Sequence, residues 1–296
     1  MNAASIADQL DRLLATALPL AREEGVNATV TEYLSVVRRS RPSVPTAGVM
    51  NPAFCLVLQG TKVVALGTRR VVCSAGNFLA SALEVPAVVH VEASPESPYI
   101  GVVVHFTEEE VAALVAESGM APPAPPVDPE FVGTPYQEFL DLVERVLTLR
   151  DTPSDRFRAR LLKRELAFCL LTGPYGYLFA PRAAFDPRSG VRKAVAWVRE
   201  HFREPLAVER LAEACAMSVS GLHHRFKAAT AQSPVQFQKL LRLQEARRLL
   251  VQGTHDATTA AYEVGYASLS HFTREYRRLF GVTPGRDGRQ AAALSS

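Results

Sequence analysis

The sequence predicts an α+β chain in two parts: a small β-barrel or sandwich with flanking helices, followed by an all-helical C-terminal region. Three observations predict it. Residues 54–106 hold the short apolar runs FCLVLQG, KVVAL, RRVVC, NFLA, AVVHVE and YIGVVVHF, punctuated by Gly60, Gly67, Gly76-Asn77, Pro86 and Ser94-Pro95. Several short strands at close spacing with turn residues between them indicate a small all-β unit. From Val191 onward, apolar residues recur only at helical spacing. The chain has 296 residues, 48% of them hydrophobic and 21% charged, which is enough apolar material for two cores and argues against disorder.

Taken in order, residues 4–18 have the pattern of a short amphipathic helix, and a strand follows at about Tyr33–Arg38. After the β region, Thr107 with Glu110 three residues later is a capping box that opens a helix. The Pro-rich stretch Ala121–Pro129 cannot be helical. Beyond it, Tyr136, Phe139, Leu140, Val143 and Leu147 recur at helical spacing, as do Phe157, Leu161, Leu162, Leu166 and Leu170. These two helices form a hairpin whose apolar faces are wide enough to pack on the β unit, on a second subunit, or on both. Pro181, Pro187, Ser189 and Gly190 mark a boundary. The expected division is therefore a first domain at 1–180, a linker at 181–190, a second domain at 191–288 and a flexible tail at 289–296.

Composition excludes several classes. Asp8 and Asp11 stand where a signal peptide needs a basic start and an apolar run. No stretch approaches 18 uninterrupted apolar residues. A cytoplasmic protein with no membrane partner is expected. Cys55, Cys73, Cys169 and Cys215 are too scattered for a disulfide framework or a zinc site and read as small buried residues. Cys55 and Cys73 qualify as sensors of oxidants or electrophiles only if exposed and acidified. No cofactor is expected.

The C-terminal region superposes on itself at an offset of 50 residues without a gap. Ser218 falls on Ser268, Ser220 on Ser270, Leu222 on Phe272, Phe226 on Tyr276, Lys227 on Arg277, Ser233 on Thr283 and Pro234 on Pro284. Each copy follows a short helical segment, at 208–215 and 257–264. Ser218 and Ser268 are placed to cap the second helix of each unit. Leu222 with Phe226, and Phe272 with Tyr276, stand at i and i+4 and dock that helix on the first. The opposite face is left polar: Ser220, His223 and His224 in one unit, Leu269, Ser270, Thr273 and Arg274 in the other. Such a face suits a recognition helix entering a major groove. Ser233-Pro234 opens a long helix between the units. Residues 191–285 carry 14 Lys and Arg against 8 Asp and Glu, a net of +6, so the rest of a chain of net charge +3 carries −3. The basic charge sits with the helix pairs, as phosphate binding requires.

The segments LAEACAMSVSGLHHRFK, SPVQF with RLQEARRLL, and VGYASLSHFTREYRRLFGVTP resemble the DNA-binding domain of the AraC/XylS family of bacterial transcriptional regulators. The resemblance covers about a third of the chain. It implies two helix-turn-helix units joined by the helix Pro234–Val251, with recognition helices in successive major grooves about 34 Å apart. It implies base contacts from Ser220, His223, His224, Leu269, Ser270, Thr273 and Arg274, and phosphate contacts from Ser218, Lys227, Ser268, Arg277 and Arg278. His224 stands where the family often has Arg, and Ala231 where Gly is common. The helix 257–264 is rich in Ala and Thr rather than Ile. NPAFCLVLQGTK, GNFLA and EASPESPYI are similar to the effector domain of one branch of the family, implying a cupin-like β-barrel followed by helices across about residues 20–180.

Strand alternation puts His90 and Glu92 on one face, and His105 ends another strand. These three are the candidate effector contacts. A cupin metal site needs about three convergent ligands, usually with an H-x-H pair, and the chain has no such pair. The expected function is a sequence-specific regulator, an activator rather than a repressor, with double-stranded promoter DNA, a small-molecule effector and RNA polymerase as partners, and homodimerisation open. No catalysis is needed. The alternative is a metal-dependent cupin enzyme with an appended DNA-binding domain.

Overall fold

The computed structural model describes residues 3–43, 45–50, 53–66, 69–81, 84–120, 123, 132–179 and 190–294. In it the apolar runs pair into two sheets. The first has six strands in the order β1 (Gly25–Ala28), β2 (Leu34–Arg39), β9 (Tyr99–His105), β4 (Ala53–Gln59), β7 (Phe78–Ser81) and β10 (Val132–Gly133). The second has four, in the order β3 (Thr46–Met50), β8 (Val85–Glu92), β5 (Thr61–Leu66) and β6 (Arg69–Ser74). Neighbouring strands are antiparallel throughout. Among the described residues no ladder joins the two sheets, so the expected barrel takes the form of an open two-sheet sandwich.

The strand β4 shows why these runs are almost continuously apolar. Phe54, Leu56 and Leu58 point to one side and join a core with the helices. Val57, on the other side, packs with Val64, Leu66, Cys73, Leu79 and Tyr99 between the sheets. A strand covered on both faces loses the apolar–polar alternation of a half-exposed one. The helices α1 (Ala3–Ala17), α3 (Gln137–Leu147) and α4 (Pro153–Thr172) cover the six-stranded sheet. The Phe54 and Phe139 rings lie 4.3 Å apart there. The helix α2 (Glu108–Ser118) starts at the Thr107–Glu110 capping box and is tied to α4 by Lys163–Glu110 at 2.5 Å and Arg164–Glu117 at 2.7 Å. The short helix α5 (Gly176–Phe179) follows. The α3–α4 hairpin therefore packs on the sheet, yet Phe157, Leu161 and Phe168 of α4 remain exposed on its outer side.

The C-terminal part is helical throughout: α6 (Val191–Glu200), α7 (Val208–Ala214), α8 (Val219–Thr230), α9 (Pro234–Val251), α10 (Ala257–Glu263), α11 (Leu269–Phe280) and α12 (Pro284–Leu294). It holds two cores. One is built on Val195, Val198, Leu211, Leu222, Phe226 and Phe237, the other on Leu243, Ala246, Ala260, Phe272, Tyr276 and Phe280. The helix α9 contributes to both, so a single rigid rod carries the two units. Of the expected linker only Gly190 is described, and most of the Pro-rich connector also lies outside the described residues. The helix α12 runs through most of the segment expected as a tail.

Candidate nucleic-acid interface

Each recognition helix is built the way its sequence dictates. Ser218 Oγ accepts the Gly221 N–H at 3.1 Å and starts α8; Ser268 Oγ accepts the His271 N–H at 3.4 Å and starts α11. Leu222 and Phe226, like Phe272 and Tyr276, are fully buried. The Phe226 ring meets Phe237 of α9 edge-on at 5.3 Å. The apolar stripe thus fixes which side of each helix faces out. Ser220, His223, His224 and Lys227 are exposed on α8; Ser270, Arg274, Arg277 and Arg278 are exposed on α11, with Leu269 and Thr273 half-buried beside them. Leu269, Ser270, Thr273, Arg274, Arg277 and Arg278 line one open depression. Ser218 and Ser268 sit at the helix starts, with their oxygens engaged as caps.

At the end of α8, Ala231 takes φ +61°. A side chain in the left-handed region costs about 1–2 kcal/mol. Its methyl group packs against the core between the two sheets, which gives the absence of glycine a physical compensation.

No sequence pattern marks what sets the two units relative to each other. Arg242, in the middle of α9, donates through Nε to Phe202 O at 2.6 Å, through Nη1 to Gly265 O at 2.8 Å, and through Nη2 to Arg203 O at 3.1 Å and Glu204 O at 2.7 Å. Partial burial pulls its pKa down and the nearby Tyr266 works against that. The fork joins the loop before α7 in the first unit to the turn after α10 in the second. The contact is tight: Gly265 has φ +90°, and a Cβ there would lie 2.0 Å from Arg203 O.

The sandwich docks on the same helix. Gln244 Nε2 donates to Gly48 O at 2.8 Å and Ala87 O at 3.1 Å, and Gln232 Nε2 donates to Pro86 O at 2.9 Å. Val85 and Met50 join the core of the first unit, and Arg199 pairs with Glu84. Arg247 Nη1 reaches Pro45 O at 3.4 Å while its Nε lies 2.8 Å from Asp287 Oδ2. That same oxygen accepts the buried Tyr276 hydroxyl of α11 at 2.7 Å. Burial, then Asp287, drive the Tyr276 pKa far upward, so the phenol stays a donor. The β3–β8 pair thereby touches the end of one recognition helix and, through Arg247 and Asp287, the other.

In the sandwich, His90 lies opposite Val63 and Glu92 opposite Thr61, on the side away from the inter-sheet core; Glu92 approaches Arg70 at 3.9 Å. His105 belongs to the other sheet, opposite Ala53. Desolvation, then the charges of Lys163 and Lys62, lower its pKa. The structure therefore brings two of the three candidates to one face and sets the third apart. Cys55 and Cys73 are buried, and burial pushes the Cys73 thiol up to about 12. Lys62 Nζ donates to Cys55 Sγ at 3.4 Å, a contact no sequence pattern indicates. Among the described residues there is no group of three or more His, Cys, Asp or Glu positioned to hold a metal.

Comparison with known proteins agrees with this architecture. Residues 31–178 match the family model of the AraC-type transcriptional regulator N-terminus, and residues 211–290 match a helix-turn-helix domain. The HTH-type transcriptional activator RhaS of Salmonella arizonae is 31% identical over 155 residues, which are 52% of this chain and 55% of RhaS. The chain thus spans about half the length of the relatives it matches. Unsaturated fatty acid-bound ToxT from Vibrio cholerae has a similar fold, with a TM-score of 0.52 at 9% identity over 88% of this chain and 96% of that one. Apo ToxT gives 0.51 at 12% identity over 90% and 99%. The first family model alone spans half of the chain, and the second falls on the two helix-turn-helix units: the protein belongs to the family of AraC-type transcriptional regulators.

Proposed function

We propose that this protein is a sequence-specific DNA-binding transcriptional regulator acting on promoter DNA in the cytoplasm, with the domain division given by the sequence except that the second domain extends through α12. The observation that carries the reading is the pair of capped helices with exposed polar faces, both seated on α9. Ser220, His223, His224, Leu269, Ser270, Thr273 and Arg274 are assigned to bases, and Ser218, Lys227, Ser268 and Arg277 to phosphates; Arg278, expected among the phosphate contacts, is paired with Glu275 at 3.0 Å and is left out of that assignment. Likeness to an activator supports activation, and with it a contact to RNA polymerase. The reading needs no catalytic step. No helix among the described residues is long and apolar enough to cross a membrane. The test is a salt titration of DNA affinity by fluorescence anisotropy. Arg277→Ala is expected to weaken binding to all duplexes and flatten the log–log salt slope by about one unit; an unaltered slope excludes a phosphate contact there.

The sandwich is assigned to a small effector, with His90 and Glu92, which share one face of β8, as the contacts proposed; His105, on the other sheet, stands apart from them. The docked β3–β8 pair gives a bound effector a route to α9, because its recognition is by main-chain carbonyls, which move whenever the strands move. A homodimer is assigned to α4. Phe157, Leu161 and Phe168 are 56%, 55% and 42% exposed and follow one another at helical spacing. An antiparallel crossing centred between Arg164 and Glu165 sets Leu161 of each copy beside Phe168 of the other, and each Arg164 beside a Glu165. Leu161→Glu is expected to convert the dimer to monomer in analytical ultracentrifugation; a dimer that persists unchanged excludes this surface.

A further inference from the structure

One acidic side chain lies buried beside the basic face. Glu275 lies on α11 between Arg274 and Tyr276 and is only 8% exposed. Its Oε2 lies 2.8 Å from Lys239 Nζ of α9 and accepts from Arg278 Nη2 at 3.0 Å. Burial works to raise its pKa, but the hydrogen bond and charge of Lys239, with the charges of Arg278 and His271, outweigh it and hold the group ionised. The two cations are far less buried than the carboxylate that joins them, with side-chain exposures of 33% for Lys239 and 67% for Arg278. They stand on the wall of a cleft between α9 and α11 whose apolar lining is Leu240, Leu243 and Leu279. At the equivalent position of the first unit, 50 residues earlier, the residue is Arg225, which is exposed. The carboxylate is therefore a feature of the second unit alone.

We infer that Glu275 is a specificity-determining residue that holds Lys239 and Arg278 back from DNA phosphates. This rests on the DNA-binding reading. One carboxylate shared by two cations leaves a net charge of +1 where two free cations would present +2. A phosphate that takes Arg278 or Lys239 must displace the carboxylate, and then faces it as an unpaired like charge. Sequence-independent binding is mostly phosphate contact, so it carries this penalty in full. A specific complex is held in register by base contacts from the same helix and leaves both cations on the carboxylate, so it escapes the penalty. An element that weakens the wrong complex more than the right one raises discrimination without adding a contact.

The experiment compares the full chain with Glu275→Gln on two duplexes, one of random sequence and one selected from a random pool by the wild-type chain. Affinity is read from 50 to 300 mM salt. The variant is expected to bind the random duplex several-fold more tightly, to gain less on the selected duplex, and to steepen the salt slope by about one to two units, the release expected from one or two new phosphate contacts. Adding Lys239→Gln to Glu275→Gln is expected to reverse part of the gain, whereas Lys239→Gln alone changes the slope little. Unchanged thermal melting shows that each variant is folded, and melting lowered by Glu275→Gln together with weaker binding overturns the inference in favour of a purely structural ion pair. A slope in folded Glu275→Gln equal to or shallower than wild type also overturns it. Wild type that binds neither duplex at any salt refutes the DNA-binding reading itself, and the inference falls with it.

Discussion

Arg242→Met should destabilise the helical domain by about 3 kcal/mol or more, since hydrogen bonds from a charged donor each contribute about 1.5–3 kcal/mol and four carbonyls lose such a partner together. The methionine keeps much of the aliphatic bulk, so lost packing contributes little. Urea unfolding followed by circular dichroism measures the change, and a shift below about 1 kcal/mol would show that water replaces the guanidinium at no great cost. DNA binding by the fraction that remains folded is expected to weaken as well. The fork of Arg242 is what holds the loop Phe202–Glu204 of the first unit against Gly265 of the second. Without it the two recognition faces lose part of their fixed spacing, and the second groove contact stops being pre-organised by the first.

The second large effect is expected at Arg274. Its side chain is exposed on α11, in the same depression as Ser270 and Thr273. Its counterpart in the first unit is His224, whose ring cannot make the forked pair that a guanidinium makes with guanine O6 and N7. Arg274 is therefore expected to carry more of the base selection than any residue of α8. Arg274→Ala is expected to lower affinity for the selected duplex by about 1–3 kcal/mol, to relax the base preference at one position, and to leave random-sequence binding much less affected. His224→Ala is expected to cost less. Competition between the selected duplex and its single-base variants reads both effects, and equal losses on specific and random DNA would reassign Arg274 to a phosphate.

Much of the candidate site is legible in the amino-acid sequence. The offset of 50 residues locates both recognition helices, because a repeated unit repeats its caps and its apolar stripe. The exposed face follows by subtraction: once Leu222 and Phe226 are inside, Ser220, His223 and Lys227 are outside. The strands are legible as short apolar runs, but not their partners. The strands β1 and β3 carry no such run, and the six-to-four division of the sheets cannot be derived from runs that are apolar on both sides. Alternation groups His90 with Glu92, as the structure does, yet it says nothing of which sheet His105 joins.

The amino-acid order by itself determined most of the helices, seven of the strands, the caps at Thr107, Ser218, Ser233 and Ser268 and the buried stripes of the repeated helices, since these are written in spacings of two to seven residues or in a repeat, and its motifs carried the family resemblance. Tertiary structure alone decided how the parts are joined. Arg242 gripping the loop and the turn, Gln232 and Gln244 gripping β8 and β3, and Arg247 gripping Pro45 all work by donating to main-chain carbonyls. Every residue carries a carbonyl, so no side-chain pattern marks the one that will be used. Glu275 likewise reads in sequence as one charge on a basic helix, and only the fold brings Lys239 to the other side of it.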